Sequence, residues 1–428
     1  MHKGHDVFVI KDLSKIEGHA SLEVKLKDRK VEKVMLKVEE NRRFYQKAAV
    51  GKNIIALNQS LSRICGTCSA AHQFATLKAI EHAYGLKVSE DEVKLRKLLY
   101  YGNMIRDHAM HLYLFSLPDV LGYDSVFEFG KEHKDLVREG FYVQQIGANL
   151  AEMVGGRAIH QLNISLRGFN TSLDTEKLAT AKQKLDSLKK YVKKLIKYYT
   201  KQPFYLDAVS EIYGCLKNDD FGFLEGTIRL NGAALSPDNY LDSIEREWKD
   251  YSHSYTYYYE GKPYLLGALA RLNLNLEALS TNAKNLAQNY FPSHNIYDNN
   301  LAQAIEVMHS IDRSIEIINY FLDKGGVSPL MKDLPRIDKE AQGYAVIEAP
   351  RGLLYYSFHI DNEGKVTKAE IITPTAQNHA HMEASIKLLI ENNLDLGKEK
   401  LKQEIEALIR AYDPCFSCAS HFLRIKWS

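Results

Sequence analysis

The chain is poor in cysteine, in net charge and in long apolar runs, and each shortage excludes something. Only five of its 428 residues are cysteine. So sparse and odd a set in a long chain argues against the disulfide framework of a small secreted domain, and a reducing, cytoplasmic compartment is expected. With 56 basic against 54 acidic residues, there is no charge excess to draw nucleic acid or an anionic membrane surface. No apolar run nears the ~20 residues of a membrane-spanning helix, and Met1 to Lys11 has no signal-peptide core. Internal repeats, linkers and low-complexity segments are missing too. The apolar content is 45%, enough for a sizeable core, and the length allows one large domain or two or three smaller ones.

The cysteines that are present are strongly patterned. Cys65 and Cys68 form one Cys-x-x-Cys pair, followed by His72; Cys415 and Cys418 form the other, followed by His421. Thiolates are soft ligands that select zinc, iron–sulfur clusters, copper(I) or nickel. Structural zinc held by four cysteines, a [4Fe–4S] cluster, and a buried catalytic metal centre closed from distant segments all remain open on spacing. Zinc ribbons close loops of about 15–20 residues between pairs, far shorter than the separation here. A thioredoxin-like dithiol would explain one pair only. A histidine after each pair can hydrogen-bond a sulfur or bind a second ion. The fifth cysteine, Cys215, reads as an ordinary buried thiol.

Periodicity supplies the scaffold. Residues 8–38 read as a β-hairpin, with Leu22, Val24 and Leu26 alternating against Val34, Leu36 and Val38 across a turn at Lys27–Lys30. Leu77, Ile80 and Tyr84 place a helix behind the first pair, so that Cys65–His72 lies at or just before its N-terminus, where thiolate is favoured. Helices are expected over 91–122, ending near Pro118, over 136–154, and over 298–323, 376–392 and 398–412. The clearest runs over 174–200, where Leu178, Leu185, Leu188, Val192 and Leu195 make a core stripe and lysines a solvated face. Residues 202–270 break this rhythm and read as an α+β insertion whose tyrosines (Tyr255, Tyr257, Tyr258, Tyr259, Tyr264) pack an interface. A second hairpin pairs Val346–Ile360 with Val366–Ile372. Asp413-Pro414 reads as an N-cap followed by proline at the first helical position. One mainly α domain over 1–428, with an α+β periphery of hairpins, is the simplest architecture.

Several blocks carry a resemblance. Arg63-Ile-Cys-Gly-Thr-Cys-Ser-Ala-Ala-His72 and Asp413-Pro-Cys-Phe-Ser-Cys-Ala-Ser-His421 resemble the two nickel-binding motifs of the large subunit of [NiFe] hydrogenases. Lys15-Ile-Glu-Gly-His19, Gly155-Gly-Arg-Ala-Ile-His160, Glu348-Ala-Pro-Arg-Gly352 and Ile372-Thr-Pro-Thr375 resemble its other blocks, in the right order along nearly the whole chain. The style is similar to that of cytoplasmic, NAD(P)-linked hydrogenases of the sulfhydrogenase type.

This resemblance implies a hydrogenase large-subunit fold, a helical core with β-hairpins, and reversible heterolytic cleavage of H2 at a Ni–Fe centre whose iron carries CN and CO. Cys65 and Cys415 would be terminal nickel ligands, and Cys68 and Cys418 would bridge to the iron. Cys415 would take the proton first and Glu17 would relay it. Arg351 would stand over the vacant metal position, held by bidentate pairing with Asp107 and Asp413, with Pro350 closing the pocket. On composition alone, Asp107 would be a surface partner of Arg106. His72 would hydrogen-bond a bridging sulfur. His421, Gln46 and the Ile371 carbonyl would surround Mg2+ or a similar ion.

The resemblance also implies partners. Spare cysteines are too few for an electron wire, so an iron–sulfur small subunit with [4Fe–4S] clusters is expected, then diaphorase subunits carrying FAD and NAD(P). The alternatives on the same fold are an H2 sensor and a hydrogenase linked to F420 or another acceptor; a zinc-stabilised interaction protein would carry zinc and no nickel. Three positions depart from the family pattern. Gln46 replaces a glutamate, a weaker ligand for a hard cation; Tyr356 replaces a histidine and Gln161 a proline. In many relatives a protease removes the residues beyond the last motif histidine, so Phe422–Ser428 would be either retained or the mark of a precursor.

Overall fold

A computed structural model describes residues 5–41, 44–334 and 336–420. Its centre is a set of long buried helices. Glu90–Met110 packs along Lys134–Gly155, and Asp298–Asp323 packs against both Glu90–Met110 and Thr175–Tyr199. The Thr175–Tyr199 helix starts where its sequence dictates: the Asp174 carboxylate accepts from the Lys177 amide at 2.8 Å, capping a free N–H. Its stripe of Leu178, Leu185, Leu188, Val192 and Leu195 is buried. Ser89 caps Glu90–Met110 in the same way, through the Glu92 amide at 3.2 Å.

Two glycines set how closely the central pair approaches. A Cβ on Gly102 would lie 2.8 Å from the Ala151 amide nitrogen, and one on Gly147 would lie 2.6 Å from that of Arg106. The backbones touch there, and the contact fixes the height of Arg106 and Asp107 along their helix. Beyond Met110 the chain stays helical past the expected stop. A π-helical turn over His111–Ser116 leads into Leu117–Leu121, and Gly122 at φ 77° ends it. Pro118 therefore opens a helical segment, where its missing N–H costs nothing.

Three antiparallel strands, His5–Ile10, Ala20–Lys27 and Lys30–Val38, form the N-terminal sheet. The hairpin turn falls as expected at Asp28 and Arg29, and residues 11–19 leave the ladder as a loop. A second three-stranded sheet, Ala341–Ala349, Gly352–Ile360 and Val366–Ile372, covers the helix Ser69–Tyr84. Here the expected hairpin needs correction. The arm Val346–Ile360 is two strands, folded back at Pro350-Arg351. Proline has no N–H for a ladder and Gly352 takes φ 124°, with the backbone of Gly267 2.9 Å from where a Cβ would stand. The turn aims Arg351 into the interior.

Between 202 and 267 the described residues form strands and one 3-10 turn, Leu241–Ser243; the next α-helix is Ala268–Asn275. Strands Tyr213–Lys217, Thr227–Leu230, Ala233–Leu235 and Leu265–Leu266 make a four-stranded sheet. The tyrosines Tyr257 and Tyr264 are buried within the chain. Helices Pro374–Asn392 and Lys398–Ala411 lead to a short one, Phe416–Ala419. Cys415, not Asp413, precedes that helix, so the expected Asp413 cap is also corrected. Asp413 sits at φ 50° with its carboxylate committed elsewhere. Among the described residues, no helix is long and apolar enough to cross a membrane.

Overpacking a helix contact costs about 1–3 kcal/mol. Gly147→Ala is expected to lower the thermal midpoint by several degrees and to reduce metal loading, because it pushes Arg106 and Asp107 away from the cysteine loop. An unchanged midpoint would show that the two helices do not depend on this contact.

Candidate metal centre

The two chain ends meet at one buried point. Cys68 precedes the helix Ser69–Tyr84, and Cys415 precedes Phe416–Ala419. The Sγ atoms of Cys65 and Cys415 are 3.6 Å apart, those of Cys68 and Cys418 are 3.3 Å apart, and Cys415 and Cys418 are 2.9 Å apart. All four lie within 4.8 Å of one another. Tyr45 ties the two segments, donating to the carbonyls of Ile64 at 3.2 Å and Ser417 at 3.1 Å. Thr375 Oγ1 accepts from the Cys415 amide at 3.0 Å. Arg106 reaches over to the carbonyls of Thr67 and Gly66 and so clamps the first cysteine loop.

The Lys15–His19 loop joins this point edge-on. The carbonyl of Glu17 accepts from the Phe416 amide at 2.8 Å. Gly18 has φ 88°, and a Cβ there would lie 2.6 Å from the Ser417 nitrogen. Only glycine lets the loop come so near. Burial, then the negative charge of Cys65, raises the Glu17 carboxyl above its ordinary value, with Arg351 acting against the shift.

Arg351 is buried at its turn. Its Nη1 is 2.7 Å from Asp107, its Nη2 is 2.8 Å from the Asp413 carboxylate, and its Nε donates to the Asp413 carbonyl at 2.9 Å. The expected bidentate pairing is therefore a fork spread over two carboxylates. Asp107 is fully buried and pairs with Arg351, which corrects the surface reading. Burial pulls the Arg351 value down, but Asp107 and Asp413 outweigh it and hold the guanidinium charged. Asp107, His108 and Asp413 also converge within 4.8 Å, with the Arg351 cation held by the two carboxylates. Gln303 donates to Asp413 at 2.8 Å and meets His111 at 2.6 Å.

His72 faces both ways, with Nε2 3.7 Å from the Cys418 sulfur and Nδ1 2.7 Å from the Tyr356 hydroxyl. A small cavity adjoins Cys68, Cys415 and Cys418, lined by His72, Ala349, Arg351, Leu354 and Pro374. Pro350 does not line it; Ala349 does. Gln46 Nε2 donates to the Ile371 carbonyl at 3.3 Å and to Glu370 at 3.1 Å, so these two acceptors are already met by an amide. His421 and the tail Phe422–Ser428 lie outside the described residues. Cys215 is buried away from the site, beside Asn275.

The donor set fits a soft metal. Hydrogen bonds from Cys415, Cys418 and Cys68 hold the Cys65 thiol well below its ordinary value, while burial pushes Cys415 and Cys418 well above theirs. A soft cation binds thiolates and so displaces the protons that burial favours on Cys415 and Cys418, which makes affinity rise with pH.

Four inward thiols beside a cavity that a fixed guanidinium borders, on a helical core, mark a protein built to hold a soft metal. Residues 48–133 and 234–421 match the family of nickel-dependent hydrogenases. The chain is 33% identical over 427 residues to the sulfhydrogenase 1 subunit alpha of Pyrococcus furiosus, covering 97% of this chain and 98% of the relative. It is 32% identical over 426 residues to the sulfhydrogenase 2 subunit alpha of the same organism, covering 98% and 100%. The fold superposes with TM-score 0.87 on a chain of an NAD+-reducing [NiFe]-hydrogenase in the H2-reduced state, at 23% identity over 97% of this chain and 99% of that one. The chain belongs to the nickel-dependent hydrogenase family, as the catalytic large subunit.

Sequence reasoning missed the shell behind Arg351. Arg271 and Glu306 are buried beside Glu348. The signal was present in each case as one charge inside an apolar helical run, Ala268–Leu272 and Leu301–Ile311. Burial pushes the Glu348 carboxyl up to about 7, with Arg271 acting against it. The folded state then binds more protons than the unfolded chain between about pH 4.5 and 7, so this group makes stability fall as pH rises through that window. Glu348→Gln does not titrate and keeps one acceptor oxygen, at the cost of one of the two that meet Arg271 and the Leu216 amide. Its thermal midpoint, relative to the wild type, is expected to rise between about pH 5 and about pH 8; a difference that stays constant with pH would contradict this.

Proposed function

We propose that Cys65 and Cys415 are the terminal nickel ligands, that Cys68 and Cys418 bridge nickel to iron, and that Cys415 Sγ and then Glu17 carry the proton away during H2 cleavage. The observation that carries this reading is the convergence of four sulfurs within 4.8 Å beside a cavity that Arg351 borders. When bound, a Ni–Fe centre supplies the hydride-accepting half of heterolytic cleavage. The chain supplies the rest. Cys415 Sγ holds the proton at the site; the Glu17 carboxyl, raised by burial, is suited to take it and release it, since a relay works best with a value near the working pH. Glu17 is pinned by its own carbonyl to the segment that carries Cys415, which keeps donor and acceptor in fixed relation. Arg351 presents a permanent cation to the cavity and cannot swing, because two carboxylates and a carbonyl hold it. His72 points Nε2 at Cys418 and tempers its basicity.

In this reading electrons leave through an iron–sulfur small subunit and reach NAD(P) by way of flavin-bearing subunits, in the cytoplasm. Two kinds of likeness support it: the similar Pyrococcus furiosus chains are alpha subunits of sulfhydrogenases, and the fold matches a chain of an NAD+-reducing enzyme. An H2 sensor would keep the same site without turnover, and an F420-linked enzyme would keep the turnover with another acceptor. H2-dependent dye reduction by the purified complex separates the sensor, and H2-dependent reduction of NAD+ or NADP+ separates the acceptors.

Removing a general acid–base typically costs 10²–10⁴-fold. Glu17→Gln is therefore expected to lose at least about a hundredfold in H2 oxidation with nickel content unchanged, whereas Cys415→Ser loses both nickel and activity. A Glu17→Gln complex turning over at the wild-type rate would sink the relay.

A further inference from the structure

Arg271 stands one layer behind Arg351 and is 1% exposed. Each of its five N–H donors has an acceptor. Nε donates to Glu306 at 2.6 Å, Nη2 to the other Glu306 oxygen at 2.7 Å and to the Pro350 carbonyl at 3.0 Å, and Nη1 to Glu348 at 2.8 Å and to the Ala349 carbonyl at 3.2 Å. The two carbonyls belong to the turn that presents Arg351. The carbonyls on either side are met as well: that of Glu348 by the Tyr100 hydroxyl at 2.5 Å, and that of Arg351 by Asn378 at 3.5 Å. Gly267, immediately before the Arg271 helix, lies against the same turn.

The contacts close into a ring. Arg271 holds the turn, the turn carries Arg351, and Arg351 pairs with Asp107 at 2.7 Å. The next residue on that helix, His108, meets Glu306 at 2.9 Å, and Glu306 holds Arg271. Two adjacent residues of Glu90–Met110 thus anchor one guanidinium each. The height of Arg351 over the sulfurs is fixed both from its own charged end and from the backbone it grows out of.

We infer that Arg271 is a positioning residue for the hydrogenase reaction: two of its five donors clamp the Ala349 and Pro350 carbonyls while the other three anchor it to Glu306 and Glu348, and this clamp sets where the Arg351 guanidinium stands at the metal site. This rests on the proposed reading of Arg351 as acting at that site. The clamp also explains why the residue is arginine. A lysine at 271 keeps the charge but offers three donors from one point, and it cannot span two carboxylates and two carbonyls.

The test is a double-mutant cycle on the assembled, nickel-loaded enzyme with Arg271→Lys, Arg351→Lys and the pair. Arg271→Lys is expected to keep its nickel and lose about tenfold or more in kcat, with KM for H2 within about threefold, as befits loss of an interaction used in the transition state. The double variant is expected to be no slower than Arg351→Lys, within about threefold, because the two substitutions remove one and the same function. Infrared bands of the diatomic ligands, which sense the guanidinium field, are expected to shift in Arg271→Lys towards their positions in Arg351→Lys. Losses that multiply, or a wild-type rate with unshifted bands in Arg271→Lys, would overturn the inference. A wild-type rate in Arg351→Lys would sink the reading of Arg351 instead, while the infrared shift of Arg271→Lys would still report the clamp. Should Arg271→Lys fail to load nickel, the same cycle with Glu306→Gln decides, since it loosens one anchor and leaves both guanidinium groups; multiplied losses would again overturn the inference.

Discussion

Four sulfur atoms from opposite ends of the chain converge within 4.8 Å of one another in the buried interior. Cys65 and Cys415 are 350 positions apart, and nothing local brings them together. The approach is made by large elements: the helix that begins after Cys68, the helices that deliver Cys415, and the N-terminal loop wedged beside them by Gly18. The helices Ser69–Tyr84 and Pro374–Asn392 are buried along most of their length. The contact therefore draws on the whole core, and the core cannot be loosened in one place without moving a sulfur.

The same constraint dictates the charges. A buried guanidinium is tolerable only when its charge is matched and its donors are met. Arg351 has its charge matched by Asp107 and Asp413, and Arg271 meets both conditions with Glu306, Glu348 and two carbonyls. Two cations against four carboxylates leave an excess of negative charge, which the raised value of Glu348 offsets. Removing one partner strands the other, so the expected effects of single substitutions are large. The polar shell fixes geometry around the sulfurs, and the apolar core around it supplies the stability that such a shell consumes.

The readable parts of the sequence are those with local or repeated signals. The paired Cys-x-x-Cys motifs, the apolar stripe of Thr175–Tyr199 and the alternation of Ala20–Val38 each announce a ligand set, a helix or a strand. Misreadings fall where a tertiary partner overrides a local preference. Asp413-Pro414 looks like a helix start, yet Arg351 claims that carboxylate. Val346–Ile360 looks like one strand because its apolar residues run on both sides of Pro350, and the turn shows only in the proline and Gly352. Arg271 shows only as one charge in an apolar helical run, and the sequence does not reveal its role because its partners, Glu306 and Glu348, lie 35 and 77 positions away. The second ion site is expected at Gln46 and Ile371. The structure does bring those two together, but with the amide nitrogen donating to the carbonyl, a contact that spacing cannot foretell.

Nickel-edge X-ray absorption on the purified complex tests the central claim most directly. A nickel atom surrounded by sulfur, with an iron neighbour at the distance of a thiolate bridge, is the predicted result, and the sulfur shell should be diminished in Cys415→Ser. Nickel in a nitrogen and oxygen shell, or zinc in its place with no iron neighbour, would contradict the assignment of the four cysteines.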